Sequence, residues 1–211
     1  MLPEANIKGI TSDISTLESC DAIITAYPNL DIIVSNAAIF ETADFFGISD
    51  ETWQLYWDTN LLANVRLARH YLPRMKENNW GRFVLIGSEC GISTPPDMLH
   101  YATTKTAMLG LSRGLAKTMK GTGVTVNAVL PGPTLTQAVE DVFSIEREKS
   151  GKSIAELGSN FVKEIRPSSI TERFQTAEEV ANLVVYTCST LSSGTTGAAL
   201  RVDGGVADTP I

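Results

Sequence analysis

Residues 82–91 read Arg82-Phe83-Val84-Leu85-Ile86-Gly87-Ser88-Glu89-Cys90-Gly91, four apolar side chains in succession followed by a polar turn bounded by glycines. A strand with water on one face alternates apolar and polar residues, so a short unbroken apolar run marks a strand covered on both faces, as in a parallel sheet between helices. Asp31-Ile32-Ile33-Val34-Ser35 and Val124-Thr125-Val126-Asn127-Ala128-Val129-Leu130 have the same character. A further strand is expected at Ala198 to Val202, closed by Asp203-Gly204-Gly205. Longer segments with apolar residues at helical spacing lie between the strands: Glu51 to Asn78, Tyr101 to Lys120 and Thr176 to Thr190. The last of these opens with Thr176 and Glu179 in capping-box register. Strand, helix, strand in this order predicts right-handed crossovers and a doubly wound parallel α/β sheet with helices on both faces. The chemistry of such sheets collects beyond the carboxyl ends of the strands. Those ends are Ser35-Asn36-Ala37-Ala38, Gly87-Ser88-Glu89-Cys90-Gly91 and Pro131-Gly132-Pro133-Thr134.

With 211 residues, no repeats and no linker-like tract, the chain reads as a single domain over 1–211. Seventeen Lys plus Arg against 24 Asp plus Glu gives a net charge of −7, which argues against nucleic acid or anionic lipid as a partner. The hydrophobic content of 43% supplies a core, yet no window approaches the roughly 20 uninterrupted apolar residues of a membrane span. Met1-Leu2-Pro3-Glu4-Ala5-Asn6 has neither a basic start nor an apolar run, so a cytoplasmic protein is expected. Cys20, Cys90 and Cys188 are far apart and lack metal-ligand spacing. They are expected to be reduced, packed thiols with no metal site, Cys90 alone standing near the expected chemistry. Gly121-Thr122-Gly123 and Gly194 to Gly197 follow helices and read as caps or turns.

Tyr101-Ala102-Thr103-Thr104-Lys105 places a phenol and an ammonium four residues apart, on one face of a helix. Five tyrosines and eight lysines in 211 residues produce such a pair by chance roughly 0.2 times. Requiring a serine 13 positions earlier, which Ser88 supplies, lowers the chance to on the order of 0.02. The trio suits proton transfer at a carbinol or carbonyl oxygen. A free phenol titrates near ~10, and a neighbouring lysine cation is expected to lower it toward the range of a working base. Ser88 would donate to the developing oxyanion.

On these residues the chain resembles the short-chain dehydrogenases/reductases, the family of NAD(P)-dependent alcohol and carbonyl oxidoreductases. Tyr101 and Lys105 match its Tyr-x-x-x-Lys motif, Ser88 its catalytic serine, and Asn60 the asparagine whose water relays protons through the lysine. Asn36-Ala37-Ala38 resembles the Asn-Asn-Ala-Gly motif against the cofactor, from which Ser35 and Ala38 depart. Pro131-Gly132, with Thr134 and Thr136, resembles the segment over the nicotinamide; Asp13-Ile14 resembles the acidic site that meets the adenine; Ala199 to Gly205 resembles the last strand. The resemblance implies a Rossmann-like fold and hydride transfer between NAD or NADP and a secondary alcohol or ketone. Tyr101 would give or take the proton, and Lys105 would also hold the nicotinamide ribose. It further implies a homodimer or homotetramer built on the helices carrying Asn60 and Tyr101.

The family's Gly-rich phosphate turn has no match before Asp13, so the expected domain is N-terminally truncated, with the first βαβ unit absent. Ile7 to Thr11 is then a remnant strand, and Asp31 to Ser35 becomes a sheet edge unless Ile7 to Thr11 moves beside it. The residue that separates NAD from NADP belongs to the absent unit. A catalytically silent remnant serving as an interaction subunit is the alternative to an enzyme. Residues 137–169 are expected to form a mobile lid over the substrate, with Phe143, Phe161 and His100 as candidate pocket residues.

Overall fold

The computed structural model describes residues 6–210. Thr16 caps helix α1 (Leu17–Ala26), which leads to strand β1 (Ile32–Ser35). Ser49 caps α2 (Asp50–Trp57), which runs through one π-helical turn (Asp58–Leu62) into α3 (Ala63–Glu77). The helix expected over Glu51 to Asn78 is therefore present but widened at its centre, and Asn60 sits in the widened turn. Strand β2 (Gly81–Ile86), helix α4 (Leu99–Thr118) and strand β3 (Val124–Pro131) follow. Then come the short β4 (Thr134–Leu135), the helical hairpin α5 (Gln137–Ser150) and α6 (Ile154–Ile165), and the short β5 (Gln175–Thr176). Helix α7 (Ala177–Cys188), opened by the Thr176–Glu179 capping box, and strand β6 (Ala199–Val202) complete the order.

The main sheet has the order β1-β2-β3-β6, all parallel. Every residue of β2 is buried, which is why its sequence does not alternate. Phe83, Leu85 and Val126 face a cluster with Leu67, Tyr71 and Met75 of α3 and Met108 of α4. Val84, Ile86 and Val129 face the opposite way, onto Leu183, Val184 and Cys188 of α7. Helices thus cover both faces, in an α/β Rossmann-like arrangement. Arg82, only 2% exposed, is tolerated between these layers because Nε donates to Ser189 O and Nη1 to Gly81 O and Gly123 O. Gly197 holds a positive φ of 68° and donates to Val126 O, a turn that only a residue without Cβ adopts at no cost.

Ile7 to Thr11 corrects one expectation: it forms no strand and pairs with nothing in either sheet. Its side chains stay in water, Ile7 at 76% and Ile10 at 44% exposure. Among the described residues β1 is one edge of the sheet and β6 the other, and on β1 Ile32 and Val34 are exposed. The segment expected as a lid, residues 137–169, carries the α5–α6 helical hairpin, and the parallel β4–β5 pair closes its base. No helix among the described residues is long and apolar enough to cross a membrane.

Candidate active site

Strand β2 delivers Ser88 in an extended conformation (φ −167°, ψ 156°), where its Oγ accepts from Cys90 N at 3.1 Å and caps the short 3-10 turn Glu89–Gly91. Helix α4 is fastened to the same strand end. Lys105 Nζ donates to Ile86 O at 2.7 Å and Thr106 Oγ1 to Gly91 O at 2.9 Å. Gly91 permits this approach, since a Cβ there would lie 3.0 Å from the Lys105 carbonyl carbon. One turn earlier on α4 is Tyr101, whose ring centroid is 5.5 Å from Lys105 Nζ and 6.1 Å from the ring of Phe40. The expected Ser88, Tyr101 and Lys105 trio is therefore assembled at the carboxyl end of β2.

Its electrostatics differ from the sequence expectation. Burial pushes the Tyr101 phenol well above its ordinary range; the neighbouring Ser88 hydroxyl opposes the shift, while Cys90, Glu89 and Tyr56 add to it. Lys105 is itself desolvated: burial brings its ammonium down to about 8, so it is still a cation at neutral pH but has lost its charge before the raised phenol would ionise. Lys105 is 2% exposed, and one of its three donors is spent on Ile86 O.

Asn60 is fully buried and joins the loop after β1 to α4. Oδ1 accepts from Ile39 N at 2.9 Å, and Nδ2 donates to Ile39 O and to Thr104 Oγ1, each at 3.1 Å. Thr104 in turn donates to Tyr101 O at 2.7 Å. The Asn60 side chain thus positions the helix turn bearing Tyr101 and does not reach Lys105 directly. A π turn places it there, a local widening often found at functional sites.

The residues expected at the cofactor fall into two groups. Asn36 and Ala37 continue β1 and are exposed, and Pro131 ends β3, so both flank the β2 end through the registers Ser35 with Leu85 and Val129 with Ile86. Gly132 follows in close contact with the loop after β6, where a Cβ would meet Asp203 O at 2.6 Å. Thr134 Oγ1 donates to Gly132 O at 2.9 Å, and Thr136 is the exposed N-cap residue of α5. Asp13 and Ile14 serve local structure. The Asp13 carboxylate accepts from Ser15 N, which holds it below the usual carboxylate range, and Ile14 O accepts from Cys20 Sγ.

The three candidate pocket residues, His100, Phe143 and Phe161, are packed against other aromatic side chains. His100 lines no open pocket: it is fully buried, with its ring 4.1 Å from that of Tyr56 and 6.2 Å from that of Trp53. Burial keeps this imidazole below its ordinary range, hence neutral. Phe143 and Phe161 pack with Phe174 at ring separations of 5.6 to 5.8 Å, fastening α5 and α6 to the segment before β5. Cys90 is buried, and burial together with the charge of Glu89 pushes its thiol up to about 11. It is a packed thiol at neutral pH and no nucleophile.

Sequence reasoning missed Glu89 and Arg166. Ser88 Oγ donates to Glu89 Oε2 at 2.6 Å, and Arg166 Nε donates to Glu89 Oε1 at 3.0 Å. Glu89 stood in plain view beside Ser88. Arg166 comes from 77 positions away, beyond the reach of any spacing argument.

No group of three or more His, Cys, Asp or Glu side chains among the described residues is arranged to hold a metal. What the site offers is uncommitted Lys105 donors between three strand ends, a donor set suited to ribose hydroxyls beside a nicotinamide ring.

The enoyl-(acyl carrier protein) reductase family model matches residues 4–207. The "Uncharacterized oxidoreductase YvaG" of Bacillus subtilis (strain 168) is 42% identical over 203 residues, which span 96% of this chain and 77% of that protein. The 3-oxoacyl-[acyl-carrier-protein] reductase FabG of Aquifex aeolicus (strain VF5) is 32% identical over 197 residues, 93% of this chain and 73% of that one. The crystal structure of L-sorbose reductase from Gluconobacter frateurii, complexed with NADPH and L-sorbose, superposes with a TM-score of 0.84 at 28% identity. That superposition covers 95% of this chain and 76% of the reductase. With the strand order, the site trio and the family match in agreement, the chain belongs to the short-chain dehydrogenase/reductase family of oxidoreductases.

Proposed function

We propose that the chain reduces a small ketone, and in reverse oxidises the secondary alcohol, with NADP or NAD as cofactor and Tyr101 as proton donor and acceptor. The observation that carries this reading is the assembly of Ser88, Tyr101 and Lys105 at one strand end, with Lys105 Nζ bonded to Ile86 O at 2.7 Å and 5.5 Å from the Tyr101 ring centroid. When bound, the nicotinamide supplies or accepts a hydride at the substrate carbon. Lys105, Tyr101, Asn36 and Ala37 would hold the ribose side, and Pro131, Gly132, Thr134 and Thr136 the carboxamide side. Asp13 and Ile14 belong to the adenine end of the same reading.

The raised phenol stays protonated at neutral pH, which makes Tyr101 an acid toward a carbonyl oxygen. As the carbonyl carbon gains its hydride, the oxygen takes the Tyr101 proton, and Lys105 limits the cost of the phenolate left behind. Ser88 shares the same oxygen. The α5–α6 hairpin, Gln137–Ser150 and Ile154–Ile165, serves as the lid over this oxygen. Three free cysteines fit a reducing, cytoplasmic setting. Assembly as a homodimer or homotetramer through α3 and α4 completes the reading.

The test is NADPH oxidation at 340 nm with acetoacetyl-CoA, a 3-oxoacyl thioester, and with L-sorbose, probes chosen from the activities named for the relatives. Tyr101→Phe is expected to lose at least ~100-fold in turnover while leaving NADPH affinity nearly unchanged. Undiminished turnover in that variant removes Tyr101 from the chemistry.

A further inference from the structure

Ser88 has one hydroxyl proton, and two groups have a use for it. In the structure the proton goes to Glu89 Oε2 at 2.6 Å, while Oγ accepts from Cys90 N at 3.1 Å. In the proposed reaction the same proton is needed at the substrate oxygen beside Tyr101. Glu89 is a strong competitor: its side chain is 5% exposed, and a carboxylate short of water binds any nearby O–H tightly. Its other oxygen, Oε1, accepts from Arg166 Nε at 3.0 Å and from Cys90 Sγ at 3.4 Å. Arg166 is the residue that ends α6, its N–H bonded to Val162 O and its side chain 16% exposed. Its Nη1 returns to Ile165 O and its Nη2 lies 3.5 Å from Cys90 Sγ, so the guanidinium is locked onto this turn.

We infer that Glu89 competes with the reacting oxygen for the proton of Ser88, and that Arg166, at the end of the lid hairpin, decides the competition by neutralising Glu89. With Arg166 in place the carboxylate shares its charge with the guanidinium and lends the Ser88 proton to the substrate. With Arg166 removed the buried carboxylate leans on Ser88 alone and keeps it. Both residues act through Ser88 and are positioning residues. The inference rests on the proposed role of Ser88.

The test uses the full chain with Arg166→Gln, Glu89→Gln, the double variant, Ser88→Ala and Tyr101→Phe. In NADPH-dependent reduction of acetoacetyl-CoA or L-sorbose, Arg166→Gln is expected to lower kcat by ~10-fold or more with KM within about 3-fold. Adding Glu89→Gln should restore most of that loss, because an amide is a weak competitor. A purely structural pair would leave the double variant as slow as Arg166→Gln, and that result overturns the inference. The same logic is read without cofactor in thermal melting. Arg166→Gln should lower Tm by roughly 5–10 °C, with partial recovery on adding Glu89→Gln. Ser88→Ala should lower Tm more in the Arg166→Gln background than in the parent, and additive changes refute the shared proton. Full turnover in Ser88→Ala or Tyr101→Phe, or no turnover of either probe by the parent, defeats the proposed function instead. The melting cycle then decides the pair.

Discussion

Replacing Lys105 by methionine should make the protein more stable and less active. Burial brings the Lys105 ammonium from an ordinary 10.5 to about 8, so the fold disfavours the charge that the group carries at neutral pH. At roughly 1.4 kcal/mol per pH unit the gap corresponds to about 3 kcal/mol. The side chain is 2% exposed, so solvent does not screen this cost away. Methionine fills most of the same space without charge but abandons the bond to Ile86 O, a loss of about 1 kcal/mol or somewhat more. The balance is a gain of about 1–2 kcal/mol at pH 7, a rise in Tm of roughly 2–8 °C for a chain of this size. Calorimetry of parent and Lys105→Met across pH gives the check. Between pH 8 and 10.5 the unfolded lysine still holds its proton while the folded one releases it. The parent therefore gains stability from this group as pH rises through that window, and its deficit against Lys105→Met should close. A Lys105→Met protein that melts below the parent at pH 7, or a difference independent of pH, would show that the cation is well accommodated in the fold and refute the reasoning. Turnover should fall with the substitution even as Tm rises.

Two further outcomes follow from close contacts and burial. Gly132→Ala drives a Cβ to 2.6 Å from Asp203 O and 2.8 Å from Gln175 Oε1, so the ends of β3 and β6 must part at about 1–3 kcal/mol. Lower Tm and weaker NADPH binding are expected by calorimetry and fluorescence titration, and an unchanged protein would mean that this approach is not needed. Cys90, buried with its thiol pushed up to about 11, should resist iodoacetamide at pH 7.5 while the partly exposed Cys188 is labelled first, as peptide mass spectrometry reads it. Faster labelling of Cys90 would restore it as a reactive group.

Strand positions, the two-faced cover of the sheet and the place of the chemistry were legible in the sequence because each rests on local order. An unbroken apolar run such as Phe83 to Ile86 has few folded fates, the Thr176–Glu179 capping box forms from residues three apart, and Tyr101 and Lys105 share a helix face at any helical geometry. Ile7 to Thr11 failed as a strand because apolar, β-branched residues make a strand only where a partner edge accepts them. The direction of the proton-transfer chemistry was also not local. Four residues of spacing bring a lysine near a tyrosine, but whether the cation lowers the phenol depends on how much water each keeps. Packing of α4 on the β2 end strips both, raising the phenol and lowering the ammonium.

The sequence alone determined the fold class and the identities of Ser88, Tyr101 and Lys105, since periodicity and fixed spacing are written along the chain. Only the tertiary structure decided how those groups are tuned. It spent Asn60 on Ile39 and Thr104, sealed His100 between α2 and α4, and brought Arg166 across 77 positions to Glu89 beside the Ser88 hydroxyl. Desolvation and long-range ion pairing depend on which surfaces meet, and no stretch of sequence read by itself contains that meeting.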